Sequence, residues 1–237
     1  MSEPITRRVI LWDFDGTLAW REGVWSGALL QALDQHCPGH GFCRDDIHPR
    51  IVSGFPWHYP ETPHPELNRP ERWWAHLCGH LAWVFRDLGF DAERAESLAR
   101  TTRIVYTDAT SFDLFDDTVP VLEALRDAGW RHVILSNHVP ELPNLVRELG
   151  ILPLFDDVIS SALIGYEKPH PEAYAVALRA IGFRAAGDPD EVWMVGDNIV
   201  ADVQGAEALG IPAILVRREG DCKRCCDDLW GVVEMLR

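Results

Sequence analysis

The chain has 237 residues, 47% of them hydrophobic, enough to bury a substantial core in one large domain or in a domain carrying a smaller inserted one. Its formal charge of -15 sets it against phosphate backbones and anionic membrane surfaces, so no nucleic acid and no membrane is expected as a partner; a small anion is admissible where a metal ion or a few cationic side chains dominate a pocket. No stretch could span a bilayer, the apolar run at residues 9–12 ends at Asp13 and is too short for a secretory signal, and the six cysteines are expected to stay reduced, which makes the cytoplasm the expected compartment.

In chain order, residues 9–12 read as a short buried strand that runs straight into Asp13. The character then changes. From about Ala19 to Ala109 the apolar residues recur at helical spacing over residues 24–33, 72–88 and 92–105, with no clear strand between them. Residues 50–70 are rich in proline and carry Trp57, His58, Tyr59, His64 and Arg69, so they are not expected to form one regular element. Beyond Thr110 strands and helices alternate. A helix over 119–127, opened by Asp117 and closed near Gly129, precedes strands at 133–135 and 158–159. A helix over 171–181 closed by Gly182, a strand at 192–195, a helix over 200–209 closed by Gly210 and a strand at 214–216 complete the pattern. Such alternation predicts a parallel sheet covered on both faces, with ligands beyond the carboxyl ends of its strands.

Four clusters fall at those strand ends. Asp13-Phe14-Asp15-Gly16-Thr17-Leu18 places two carboxylates one residue apart, on the same side of an extended chain, with Gly16 to turn the backbone away. One carboxylate can attack phosphorus while its neighbour protonates the departing alkoxide and then activates water. A calcium loop would need a third acidic or amide residue before the glycine and a distal glutamate, both absent. Ser136-Asn137 could hold phosphoryl oxygens, although a Ser-Asn pair is by itself ordinary turn chemistry. Lys168, stiffened between Gly165 and the prolines Pro169 and Pro171, could neutralise phosphate charge, where an isolated loop lysine is normally just a solvated group. Asp197-Asn198 with Asp202 following offers hard oxygen ligands suited to Mg²⁺, and either Asp197 or Asn198 could equally cap the next helix.

Taken together, DFDGTL, LSN, EKP and GDN followed by Asp202 resemble the four motifs of the haloacid dehalogenase-like hydrolases, over about residues 1–18 and 110–216. The resemblance implies a Rossmann-like α/β core (1–18 and 110–237) with an inserted all-α helical cap (19–109), as in the phosphoglycolate phosphatase-like members. It implies a magnesium-dependent phosphatase that hydrolyses a small-molecule phosphomonoester through an aspartyl-phosphate. Asp13 is then the nucleophile and Asp15 the general acid and base, while Ser136 and Lys168 stabilise the transferring phosphoryl, with Gly16, Thr17 and Asn137 also on the phosphate side. Asp13, Asp15 through its backbone carbonyl, Asp197 and Asp202 would hold Mg²⁺, Asp202 directly or through a water. The dehalogenase branch lacks the second aspartate and the metal, so Asp15 and Asp197 argue against dehalogenation. A sugar-phosphate mutase, mildly disfavoured by Thr17, and a non-catalytic phosphate-binding or protein-interaction module are the alternatives. Phosphonate cleavage by similar proteins needs a cap lysine, and no lysine precedes Leu135.

In the insertion, Trp57, His58 and Arg69 are the substrate-contact candidates, whereas Trp73, His76 and His80 fall at helical spacing and suit packing. Cys222, Cys225 and Cys226 lie close together but lack a further zinc partner nearby, so reduced, non-catalytic thiols are expected. A monomer or a homodimer is expected.

Overall fold

In the computed structural model, which describes residues 8–182, 191–219 and 223–237, the first apolar run is strand β1 (Arg8–Trp12). A two-residue strand, β2 (Ala19–Trp20), follows the Asp13–Leu18 turn, and then come four helices: α1 (Val24–His36), α2 (Arg44–Ile47), α3 (Pro70–Asp87) and α4 (Ala92–Tyr106). The chain returns through β3 (Asp113–Leu114), which pairs antiparallel with β2, so the two ends of the helical insertion leave and rejoin side by side. Helix α5 (Thr118–Asp127), β4 (Trp130–Ser136), α6 (Leu142–Glu148), β5 (Asp157–Ser160), α7 (Ser161–Ile164) and α8 (Pro171–Ala180) come next. The remaining elements are β6 (Glu191–Gly196), α9 (Gly205–Glu207), β7 (Ala213–Val216), β8 (Cys225–Cys226) and α10 (Leu229–Met235).

Six strands form one sheet in the order β5-β4-β1-β6-β7-β8, every pair parallel. Strand β1 is apolar without alternation because both of its faces are buried. Val9 and Leu11 pack with Val133, Leu135, Met194 and Leu215 beneath α8 and α9. Ile10 and Trp12 pack on the opposite face with Val121, Leu122, Leu145 and Val232 from α5, α6 and α10. With β1 central, its carboxyl end is surrounded by the ends of β4 and β6, which brings Asp13 between the Ser136 and Asp197 loops.

The insertion is helical for a local reason. Trp73, Trp74, Leu77, Leu81, Val84 and Phe85 recur at three- and four-residue spacing and make one buried stripe on α3, which packs along α4. Asp91 caps α4 by accepting from the Arg94 N–H at 2.9 Å. The proline-rich stretch is irregular as expected, broken into short 3-10 turns at His48–Arg50, Pro56–His58 and Pro65–Leu67.

Two expectations need correction. The helix over 200–209 begins as a turn of π-helix, Ile199–Gln204, in which the Val203 N–H donates to the Asn198 carbonyl at 3.3 Å, and runs into the single turn of α9. Asp117 opens α5 as expected, its carbonyl accepting from the Val121 N–H at 3.0 Å, while its carboxylate accepts from the Arg217 guanidinium and from the Leu229 N–H at 2.8 Å, tying α10 to the sheet. The stretch 19–109 is not free of strand, since β2 lies at its start. Sequence reading also passed over α6, α10 and β8, each too short to show a period.

Candidate active site

Beyond the carboxyl edge of the sheet is a cavity of about 400 Å³ lined by Asp13, Asp15, Ser136, Lys168, Asp197 and Asp202, with Asn137 and Asn198 beside them. Asp13 is fixed by its own backbone, whose N–H donates to the Val195 carbonyl at 2.9 Å. Gly16 follows with φ +78°, a conformation that favours glycine, and a Cβ there would also run into the Asp197 carboxylate. Gly196 is required likewise, because a Cβ would overlap the Asp202 carboxylate.

Lys168 is the centre of charge. Its ammonium is 2% exposed and donates to Asp13 Oδ1 at 2.9 Å and to Asp202 Oδ1 at 2.5 Å. Burial pulls its pKa down, but the two carboxylates outweigh burial and raise it, so the group stays cationic. Its loop is clamped to the next strand end by two bonds: the Asn137 amide donates to the Lys168 carbonyl at 2.8 Å, and the Lys168 N–H donates to Asn137 Oδ1 at 2.7 Å. Both oxygens of Asp202 are engaged, one by Lys168 and the other by the Asn198 N–H at 2.9 Å. Asn198 in turn caps the following turn, accepting from the Val200 and Ala201 N–H groups.

Asp15 is set apart from Asp13. Burial, and then the charge of Asp13, push its carboxyl up to about 7, opposed by a long 3.5 Å hydrogen bond from the Tyr106 hydroxyl. The His138 ring lies 3.4 Å from the same oxygen, in contact without forming a hydrogen bond. Burial holds His138 down at about 4, so it is neutral. Burial and Asp13 also raise Asp197 to about 6, against the pull of Arg218, whose Nε donates to it at 3.1 Å. The oxygens of Asp13, Asp197 and Asp202 lie within 4.8 Å of one another, the spacing of a group that can surround one hard cation.

Of the insertion candidates, Trp57 reaches the cavity wall together with Pro60. His58 accepts from the Phe55 N–H and Arg69 is exposed at the start of α3; neither lines the cavity. Thr17 is fully buried and does not line the cavity, its hydroxyl without a hydrogen-bond partner among the described residues. Cys222 lies outside the described residues; Cys225 and Cys226 are free thiols on the edge strand, remote from these carboxylates in the sheet order.

A family model described as haloacid dehalogenase-like hydrolase matches residues 7–210. The chain is a haloacid dehalogenase-like hydrolase. It is 30% identical to the phosphoserine phosphatase of Thermus thermophilus over 233 residues, covering 89% of each chain. It is 31% identical to the glyceraldehyde 3-phosphate phosphatase of Methanopyrus kandleri over 143 residues, 59% of this chain and 58% of that one. The HAD-hydrolase YfnB from Bacillus subtilis, solved bound to magnesium, shares its fold with a TM-score of 0.71 at 18% identity, over 98% of this chain and 99% of the other.

In this hydrolase the residues that sequence reading missed are Tyr106, His138, Arg218 and Pro60. Arg218 and Pro60 carried no local signal, and Tyr106 is the last residue of a helix read only for its packing. His138 had a faint one, standing directly after Ser136-Asn137.

Proposed function

We propose that the chain is a magnesium-dependent phosphatase acting on a small phosphomonoester through an aspartyl-phosphate at Asp13. The observation that carries this is the Lys168 ammonium, locked between Asp13 and Asp202 in a cavity where Asp15 is held near neutrality. A buried cation aimed at one carboxylate prepares that place for the equatorial charge of a transferring phosphoryl. The phosphatase names of the Thermus and Methanopyrus relatives support the same reaction class.

In the first step an Asp13 oxygen attacks phosphorus, the ester P–O bond breaks, and Asp15 gives its proton to the leaving oxygen. In the second, Asp15 as carboxylate takes a proton from water; the water oxygen attacks the acyl phosphate, releasing inorganic phosphate and restoring Asp13. Ser136, buried at the end of β4, and the fixed Lys168 hold the phosphoryl oxygens. The donor set fits magnesium: hard oxygens of Asp13 and Asp197 with the Asp15 carbonyl would hold it, and Asp202, already engaged by Lys168 and Asn198, orients the lysine and can reach the ion through water. When bound, the ion supplies further neutralisation of phosphoryl charge. Residues 19–109 are the cap in this reading, and 1–18 with 110–237 the catalytic unit. Among the described residues no helix is long and apolar enough to cross a membrane.

The test is phosphate release from a panel of phosphomonoesters, with magnesium or with chelator, by the wild type and Asp13→Asn. Release that needs magnesium and falls at least about 10³-fold in the variant is expected; full activity in the variant refutes the mechanism.

A further inference from the structure

A second cavity, of about 420 Å³, lies against the far side of Asp15 and Asp197, which line both hollows. Its other walls include Trp20, Arg21, Val24, Phe115, Arg217 and Arg218. In a chain of formal charge -15, three arginines around one hollow stand out from the general composition.

Each arginine is held differently. Arg21 is only 6% exposed; its Nη1 donates to the Val105 carbonyl at 3.0 Å and its Nη2 to Gln31 Oε1 at 2.9 Å, but its buried Nε has no hydrogen-bond partner among the described residues. A buried cationic N–H without an acceptor is costly; the guanidinium otherwise faces the Tyr106 and Phe112 rings, 5.5 and 5.6 Å from their centroids. Arg217 lies over the Phe115 ring, 3.8 Å from its centroid, and donates to the Thr17 carbonyl at 3.1 Å. Arg218 pairs with Asp197, yet its side chain is 65% exposed, so the pair is screened and readily exchanged for another anion.

The backbone points to the same place. Among the described residues, two that are not glycine have left-handed backbone, Val24 at φ 44° and Arg217 at φ 60°. Both are in this wall, although they come from the start of α1 and the end of β7. Strain of this kind persists where surrounding structure enforces it, and it gathers at binding sites.

We propose that this cleft binds a second oxyanion, carboxylate or phosphate, carried on the alcohol half of the substrate, with Arg21 and Arg218 as its ligands. This rests on the phosphatase reading for where the reacting group sits. The acid that protonates the leaving oxygen must touch it, so with phosphorus at Asp13 the rest of the leaving group passes over Asp15 to the arginine side. A guanidinium fork matches both carboxylate and phosphate oxygens. The substrate class is thus a small phosphomonoester with a second negative group a few bonds from the ester oxygen.

The experiment is calorimetric binding in magnesium buffer of three non-hydrolysable ligands: 3-phosphonopropionate, propane-1,3-diphosphonate and propylphosphonate, the last with an uncharged end. The wild type is expected to bind at least one two-headed ligand about tenfold or more tighter than propylphosphonate; whichever it prefers identifies the oxyanion. That advantage is expected to shrink at least about threefold in Arg218→Gln and in Arg21→Gln. Circular dichroism checks the fold of the second, whose arginine also braces Val105 and Gln31; Arg218→Gln, at an exposed site, decides alone should the other not fold. Equal affinities for the three ligands, no binding of either two-headed one, or an advantage untouched by Arg218→Gln overturns the cleft. A preserved preference with no turnover of any phosphomonoester leaves the cleft standing and removes the phosphatase reading.

Discussion

Asp15 is surrounded by rings: Tyr106, with Trp25 stacked on it at 3.8 Å between centroids, and His138, in edge contact with Phe14. Burial against these surfaces, and then the charge of Asp13, hold the carboxyl up at about 7 although its side chain stays 28% exposed, so it keeps its proton where a free aspartate would not. Two carboxyls one residue apart thereby acquire different tasks, the one beside Lys168 for attack and the one among rings for the proton of the leaving group. Asp15→Asn can neither donate that proton nor activate water. Its turnover of an alkyl phosphate is expected to fall about 10²–10⁴-fold. With p-nitrophenyl phosphate, whose leaving group needs little protonation, stopped-flow should show a burst of nitrophenol near one equivalent of enzyme, followed by slow turnover. Unchanged steady-state hydrolysis of the alkyl ester would remove Asp15 from the acid role.

At the scale of elements, the proline-rich loop of the insertion is fastened to the loop that carries Lys168. The His64 N–H donates to the Gly165 carbonyl at 2.9 Å, and the His64 Nε2 lies 3.0 Å from Glu167 Oε1 with both side chains buried. Gly165, at φ +77°, brings its backbone against Pro65 where a Cβ would not fit. His64→Ala strands a buried carboxylate, and a loss of about 2–4 kcal/mol in urea unfolding is expected. The double variant with Glu167→Ala should cost less than the sum of the two single changes, because the stranded charge is gone; strict additivity would show that the two residues are not coupled. Because Glu167 adjoins Lys168, kcat/KM should fall with stability in His64→Ala. None of this was legible in the sequence, where His64 and Glu167 stand 103 residues apart. What was legible is what local rules control. Strands buried on both faces show as apolar runs, and the stripe on α3 shows as a period, so the alternating core and the helical insertion were readable. So was the gathering of Asp13, Ser136, Lys168 and Asp197, because each directly follows a strand end or lies in a loop stiffened by proline. Asp202 illustrates the limit: its place was readable, but not the π-turn that carries it, closed by the Val203 N–H on the Asn198 carbonyl. Tyr106, Pro60 and Arg218 reach the site through packing between distant segments, which no spacing records.

At the scale of the whole molecule, the fold stores protonation constraints that set its stability. His132, inside the sheet, accepts from Trp12 Nε1 at 3.0 Å and donates through its Nε2 to the Leu122 carbonyl at 3.0 Å. Burial lowers its pKa from the ordinary 6.5 to about 4. Between those values the unfolded chain binds more protons than the folded one, so this contribution is fully present above about pH 6.5 and is lost as pH falls towards 4, on the order of 3 kcal/mol in all. Urea midpoints at pH 7.5 and 4.5 should therefore differ less in His132→Asn than in the wild type; an identical pH dependence would mean that His132 does not carry the effect. The carboxylates act in the opposite sense towards cations. Folding brings Asp13, Asp197 and Asp202 within 4.8 Å in a molecule already at -15, and among the described residues Lys168 and Arg218 are the cations hydrogen-bonded to them. The unfolded chain has no such cluster, so a divalent cation binds the folded state selectively, and at a hundred times its Kd adds about 2.7 kcal/mol. For a chain of this length that corresponds to a rise in Tm of roughly 5–10 °C. Scanning calorimetry with magnesium chloride, against sodium chloride at the same ionic strength, separates binding from screening. The rise is expected with magnesium only and should be largely lost in Asp197→Asn; an equal rise in both salts, or one that survives in the variant, would mean that these carboxylates do not hold the ion.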